Sequence, residues 1–137
     1  MSEAQPVVLL VEGDIVARQP LAEYLRDCGF TVFGVANGDE AMQALNTPDL
    51  QISVVLADTA TAGSGFALRH WIAEQNLSVE LILADSIEKA VDHAGTLCSE
   101  GPAVAKPYEH HLVLDHIRRG LARRDRANAL RSQGVGE

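Results

Sequence analysis

Four ionisable residues in this chain each follow directly on a short apolar run. Glu12 follows VVLLV, Asp58 follows residues 52–57 (ISVVLA), Asp85 follows residues 81–84 (LILA) and Lys106 follows residues 103–105 (AVA). Carboxylates hold hard cations such as magnesium, and lysine neutralises phosphate oxygens, so the set suits a site for a cation and a phosphoryl group. Asp58 is the candidate nucleophile, because an aspartate oxygen can take a phosphoryl group as an acyl phosphate. A small-residue loop, Thr59, Ala60, Thr61, Ala62 and Gly63, follows it, the position where open α/β sheets place functional groups. Two of the acids also have a structural alternative. Asp58 can simply open a turn, and Asp85 with Glu88 three residues on makes a capping box for a helix.

The elements between these residues decide whether the four groups can meet. Continuous apolar runs such as VVLLV suit strands buried on both faces. Between them, Ile15, Ala17, Leu21, Tyr24, Leu25 and Cys28 recur at helical spacing, with Gly29 placed as the stop. Pro20 inside that stretch predicts a bend rather than an end. Residues 31–35 are β-branched and aromatic and predict the second strand. Asn37 with Glu40 predicts a helix start, Ala41, Ala44 and Leu45 its apolar stripe, and Pro48 its end. Leu68, Trp71 and Ile72 mark a third helix, Ile87, Ala90, Val91, Ala94 and Leu97 a fourth, and Leu114, Ile117 and Leu121 a fifth.

Strands alternating with helices in this way predict an α/β fold. The expected architecture is a flavodoxin-like, doubly wound, five-stranded parallel sheet of order 2-1-3-4-5 with five helices. Functional groups in such sheets sit at the carboxyl ends of the strands, which is where all four ionisable residues fall.

At 137 residues the chain has room for one domain with a real core. No apolar run approaches the roughly 20 residues that cross a bilayer, and the first six residues lack the regions of a signal peptide. The expectation is a cytoplasmic protein with no membrane association. Two cysteines, Cys28 and Cys98, are too few and too far apart for a disulfide framework or a zinc site. The net charge of −8 is uneven. Residues 1–117 hold 5 basic and 17 acidic residues, a net of −12, while residues 118–137 stand at +4. An acidic body argues against nucleic acid as a partner. The arginines from Arg118 to Arg131 read as a solvated helix end that complements the macrodipole. His110, His111 and His116 share no face at metal-ligand spacing, and Trp71 sits at core spacing.

The stretches VVLLVEGD and IVARQPLAEYLRDCGF, the strand ending at Asp58, and AKPYE together resemble the receiver domain of two-component response regulators, over residues 6–124. The resemblance implies a phosphoryl group passing from a histidine kinase or phosphotransfer protein to Asp58, with Lys106 as counter-ion. It implies magnesium held through Glu12, Asp58 and Ala60, and a signalling module rather than an enzyme. A downstream protein partner and a homodimer fit the same family. The expected organisation is a stand-alone receiver over residues 6–124 followed by a flexible tail at 125–137, where the helical period is lost.

The departures from the family are specific. Gly13 stands where the family has the second of two consecutive acids, a direct magnesium ligand, and Asp14 is displaced by one. Asp85 stands where the family has Thr or Ser, with Ser86 next, so Asp85 and Ser86 are the candidate switch or phosphoryl contacts. Ala103 replaces the aromatic residue three before the lysine. The loop after Asp58 is one residue shorter, with Ala62 at its usual proline. Weaker magnesium binding follows. A second reading is a phosphorylation-independent pseudo-receiver serving as a protein–protein interaction module. A phosphatase of the haloacid dehalogenase type would need a second aspartate where Ala60 stands.

Overall fold

In the computed structural model the chain is described over residues 6–58, 65–75, 79–86 and 104–135. Five strands form one sheet: β1 (Val7–Val11), β2 (Thr31–Val35), β3 (Val54–Asp58), β4 (Glu80–Ser86) and β5 (Val104–Lys106). Their order is β2-β1-β3-β4-β5 and every pair is parallel. The helices α1 (Ile15–Asp27), α2 (Gly38–Leu45) and α3 (Gly65–Glu74) and the last helix (His110–Val135) connect and cover the sheet. The expected strand order is therefore present. The helix expected around Ile87 to Leu97 lies outside the described residues.

Alternation along the strands divides the core between the two sheet faces. On one face Val8, Leu10, Val54, Leu56, Ile82 and Ala84 pack with Leu21 and Leu25 of α1 and with Val113, Leu114 and Ile117 of the last helix. On the other, Leu9, Val11, Val55, Ala57 and Leu83 pack with Ala41, Leu68 and Ile72. Strand β3 is buried at every position, as its unbroken apolar run requires, whereas edge strand β2 exposes Phe33. Each fully buried Leu or Ile contributes on the order of 1.5–3 kcal/mol over its exposed state.

Local signals set the helix ends. Asp14 Oδ1 accepts from the Val16 amide at 3.0 Å and caps α1. The helix runs through Pro20, which stands on its exposed side. It stops where Gly29 takes a φ of +100° and the Phe30 amide reaches back to the Leu25 carbonyl at 3.2 Å, a turn that only glycine adopts without strain. At α2, Asn37 Oδ1 accepts from the Glu40 amide at 2.9 Å. Glu40 returns its carboxylate to the Ala36 amide at 2.8 Å, one residue earlier than a capping box predicts.

Pairing carries two strands further than their apolar runs. The runs place Asp85 and Lys106 just after the fourth and fifth strands, whereas β4 runs through Asp85 to Ser86 and β5 ends on Lys106, because parallel pairing continues to those residues. Strand β3 ends on Asp58, as its run indicates. The last helix continues to Val135, through residues where the sequence loses its helical period. Arginine, alanine and leucine there favour helix on their own, although residues 125–127, Ala129 and Leu130 are exposed and no packing face repeats.

Candidate functional site

The carboxyl rim of the sheet is built by register. Val11 of β1 pairs with Ala57 of β3, so Glu12 and Asp58 follow on neighbouring rails about 4.8 Å apart in a sheet. Asp58 in turn pairs with Ala84 of β4. Asp85 pairs with Ala105, and Ser86 with Lys106, one and two residues beyond that row. The backbone register thus brings Glu12, Asp58, Asp85, Ser86 and Lys106 to one rim. Asp85 is a strand residue here, and the helix it was expected to cap lies outside the described residues. Ala60, Ala62 and Ala103 lie outside them as well.

Both central acids are buried: Glu12 is 1% exposed and Asp58 5%. A buried carboxylate needs partners, and Glu12 is held by several groups. Its Oε2 accepts from the Asp14 amide at 3.0 Å and its Oε1 from the Tyr108 hydroxyl at 2.8 Å. Its own amide donates to the Val35 carbonyl at 3.0 Å, which extends the β1–β2 ladder by one residue. Arg18 Nη1 donates to the Glu12 carbonyl at 2.6 Å. The Arg18 side chain reaches there across Gly34 of β2, where a Cβ would stand only 3.1 Å from Arg18 Cδ. Gly34 therefore keeps a channel open for the guanidinium.

Tyr108 stays protonated far above the ordinary tyrosine range. Burial is the largest cause, followed by the charge of Glu12, its hydrogen bond, and the charge of Asp58. The hydroxyl is therefore a donor aimed into a rim of negative charge. Tyr108 and Arg18 are the site residues that sequence reading did not single out. The local signal for Tyr108 was its place in AKPYE, two residues after Lys106. For Arg18 it was one turn of helix beyond the Asp14 cap.

Two hard carboxylate donors at adjacent positions fit magnesium, which takes one or two carboxylates and fills its shell with water and phosphate oxygens. Among the described residues no cluster of three or more His, Cys, Asp or Glu side chains forms a metal site. His110 meets the Tyr24 ring at a tilt of 44° with ring centroids 5.3 Å apart, and Trp71 packs against the second core cluster.

The fold matches that of solved response-regulator receiver domains. No protein-family model matches the chain. Over 126 residues it is 26% identical to the regulatory protein VirG of Agrobacterium tumefaciens (strain 15955), covering 92% of this chain and 46% of VirG. The chain thus spans about half the length of the curated relatives it matches. It superposes on the signal receiver domain of an HD domain-containing protein from Pseudomonas fluorescens Pf-5 with a TM-score of 0.73. That match has 22% identity and covers 89% of this chain and 98% of the other. The chemotaxis response regulator CheY4 of Vibrio cholerae matches with a TM-score of 0.70 at 21% identity, over 86% of this chain and all of that one. At such identities the structural likeness establishes the fold.

Proposed function

We propose that this chain accepts a phosphoryl group on Asp58 from a histidine kinase or phosphotransfer protein and passes the signal to a downstream protein partner. The observation that carries the reading is the buried pair of carboxylates, Glu12 and Asp58, at adjacent positions on the carboxyl rim of a receiver fold. An Asp58 carboxylate oxygen bonds to phosphorus as the phosphorus–nitrogen bond of the donor phosphohistidine breaks, and the imidazole leaves with a proton from solvent. Lys106, at the end of β5, is assigned to neutralising the transferred charge. Magnesium, when bound through Glu12, Asp58 and Ala60, supplies charge stabilisation to the phosphoryl oxygens. Gly13 offers no carboxylate, so the affinity for that ion is expected to be low. Asp85 and Ser86 are the proposed switch or phosphoryl contacts.

Residues 6–124 are the proposed receiver unit. A cytoplasmic location accords with histidine-kinase signalling. Among the described residues no helix is long and apolar enough to cross a membrane. The acidic body of residues 1–117 argues against nucleic acid as its partner.

The second reading, a pseudo-receiver that docks proteins without phosphorylation, is favoured by the Tyr108 hydroxyl already bound to Glu12. Intact-mass measurement after incubation with a small phosphodonor and magnesium decides between them. The wild type is expected to gain one phosphoryl mass and Asp58→Asn none. A gain in both moves the acceptor elsewhere, and a gain in neither favours the pseudo-receiver.

A further inference from the structure

A hydroxyl is bound to one of the two carboxylate oxygens of Glu12, on the acidic rim. Tyr108 donates to Glu12 Oε1 at 2.8 Å, while Oε2 accepts from the Asp14 amide at 3.0 Å. Glu12 is 1% exposed, so these partners are not readily traded for bulk water. Tyr108 packs against the cluster that holds Leu10, Leu56 and Ile117.

We propose that Tyr108 is a latch on the cation site: its hydroxyl holds Glu12 Oε1 in the metal-free chain, and magnesium binds at the expense of that bond. The inference rests on the reading of Glu12 as a magnesium contact. An oxygen that accepts a hydrogen bond in a buried rim offers less charge to a cation, and the phenolic proton is itself repelled by one. Magnesium tolerates little departure from its preferred geometry and gives up water reluctantly, so a carboxylate held in another orientation is a poorer ligand. With glycine at position 13, Glu12 carries a larger share of the site's charge, which makes its engagement by Tyr108 more consequential. Phenylalanine at 108 would keep the ring and remove the proton.

Calorimetric titration of magnesium chloride into the full chain and into Tyr108→Phe tests the latch. The variant is expected to bind about threefold to tenfold more tightly, the range set by losing one competing hydrogen bond. Equal or weaker binding by the variant, or no binding by either chain, overturns the proposal. A second measurement needs no variant. With tyrosine labelled at ring carbons, the Tyr108 Cζ resonance of the wild type is expected to move as magnesium saturates. A resonance that stays in place at saturation also overturns the latch. Phosphoryl mass is read separately. A latch that passes these tests in a chain that never gains the mass leaves the latch standing and removes the phosphorylation reading. A chain that gains the mass with unchanged magnesium affinity at Tyr108→Phe does the reverse.

Discussion

The last helix and its lead-in meet the sheet through polar contacts at opposite ends of the strands, and one contact at each end makes the comparison. At the carboxyl rim Tyr108 donates to Glu12, whose carboxylate is almost wholly buried. At the other end Arg123 reaches Glu80, the first residue of β4, with Nη2 at 2.8 Å and Nε at 3.0 Å from one carboxylate oxygen. There the side chains are 51% and 24% exposed. The first contact joins a neutral donor to a desolvated charge, and the second joins two full charges in contact with water. Formal charge suggests that the second is stronger, yet burial reverses the order. Loss of a donor leaves a buried carboxylate short of a partner, whereas an exposed ion pair is offset by the solvation it replaces.

The rim contact is therefore expected to give the largest loss when broken. Tyr108→Phe should lower the metal-free unfolding free energy by about 1–3 kcal/mol in urea titrations. A loss no larger than that of the exposed pair would invert the comparison. Next in size, Arg123→Ala should cost less than about 1 kcal/mol, and the cost should shrink at high salt. Gly120 complicates the second substitution in an informative way. A Cβ there would lie 2.8 Å from Glu80 Cγ, so this buried glycine makes the space in which Glu80 turns toward Arg123.

The smallest effect concerns His116, whose pKa is lowered by burial first and then by Arg119 and Arg123, against an opposing pull from Asp115. A lowered folded-state value means that the unfolded chain takes up a proton more readily than the folded one. The contribution is present while the histidine is neutral and is lost as pH falls through its range. His116→Gln should therefore lose slightly less stability than the wild type on acidification. Arg123→Ala should raise the His116 pKa, followed by the ring-proton shifts in an NMR titration. An unchanged His116 titration in Arg123→Ala would remove Arg123 from its causes.

Much of this molecule was legible in short-range pattern. Unbroken apolar runs identified β1 and β3 because interior strands of a parallel sheet have no wet face. Gly29 marked the end of α1 because a positive φ there suits no other residue as well. The placement of Glu12, Asp58, Asp85 and Lys106 after apolar runs was enough to put their backbones on one rim, since parallel strands carry all their carboxyl ends the same way. The strand ends were less legible. Pairing with a neighbour, rather than apolarity, carried β4 on to Ser86 and β5 to Lys106. The length of the last helix was hidden for a related reason, since its outer turns follow helix propensity without a repeating apolar face.

Local residue pattern thus determined most of the strands and helices and which acids lie on the rim, because interior strands are unbroken apolar runs and packed helices repeat their apolar residues. Tertiary structure alone decided what those acids touch. Tyr108 and Glu12 stand 96 residues apart, and Arg123 and Glu80 are separated by 43. Neither pair shares a period or a motif. Each exists because the last helix is laid back across one face of the sheet by packing of Val113, Leu114 and Ile117, an apolar contact that specifies no polar partner. Which hydroxyl meets which carboxylate is then a matter of where that packing brings them, at distances that only the assembled layers define.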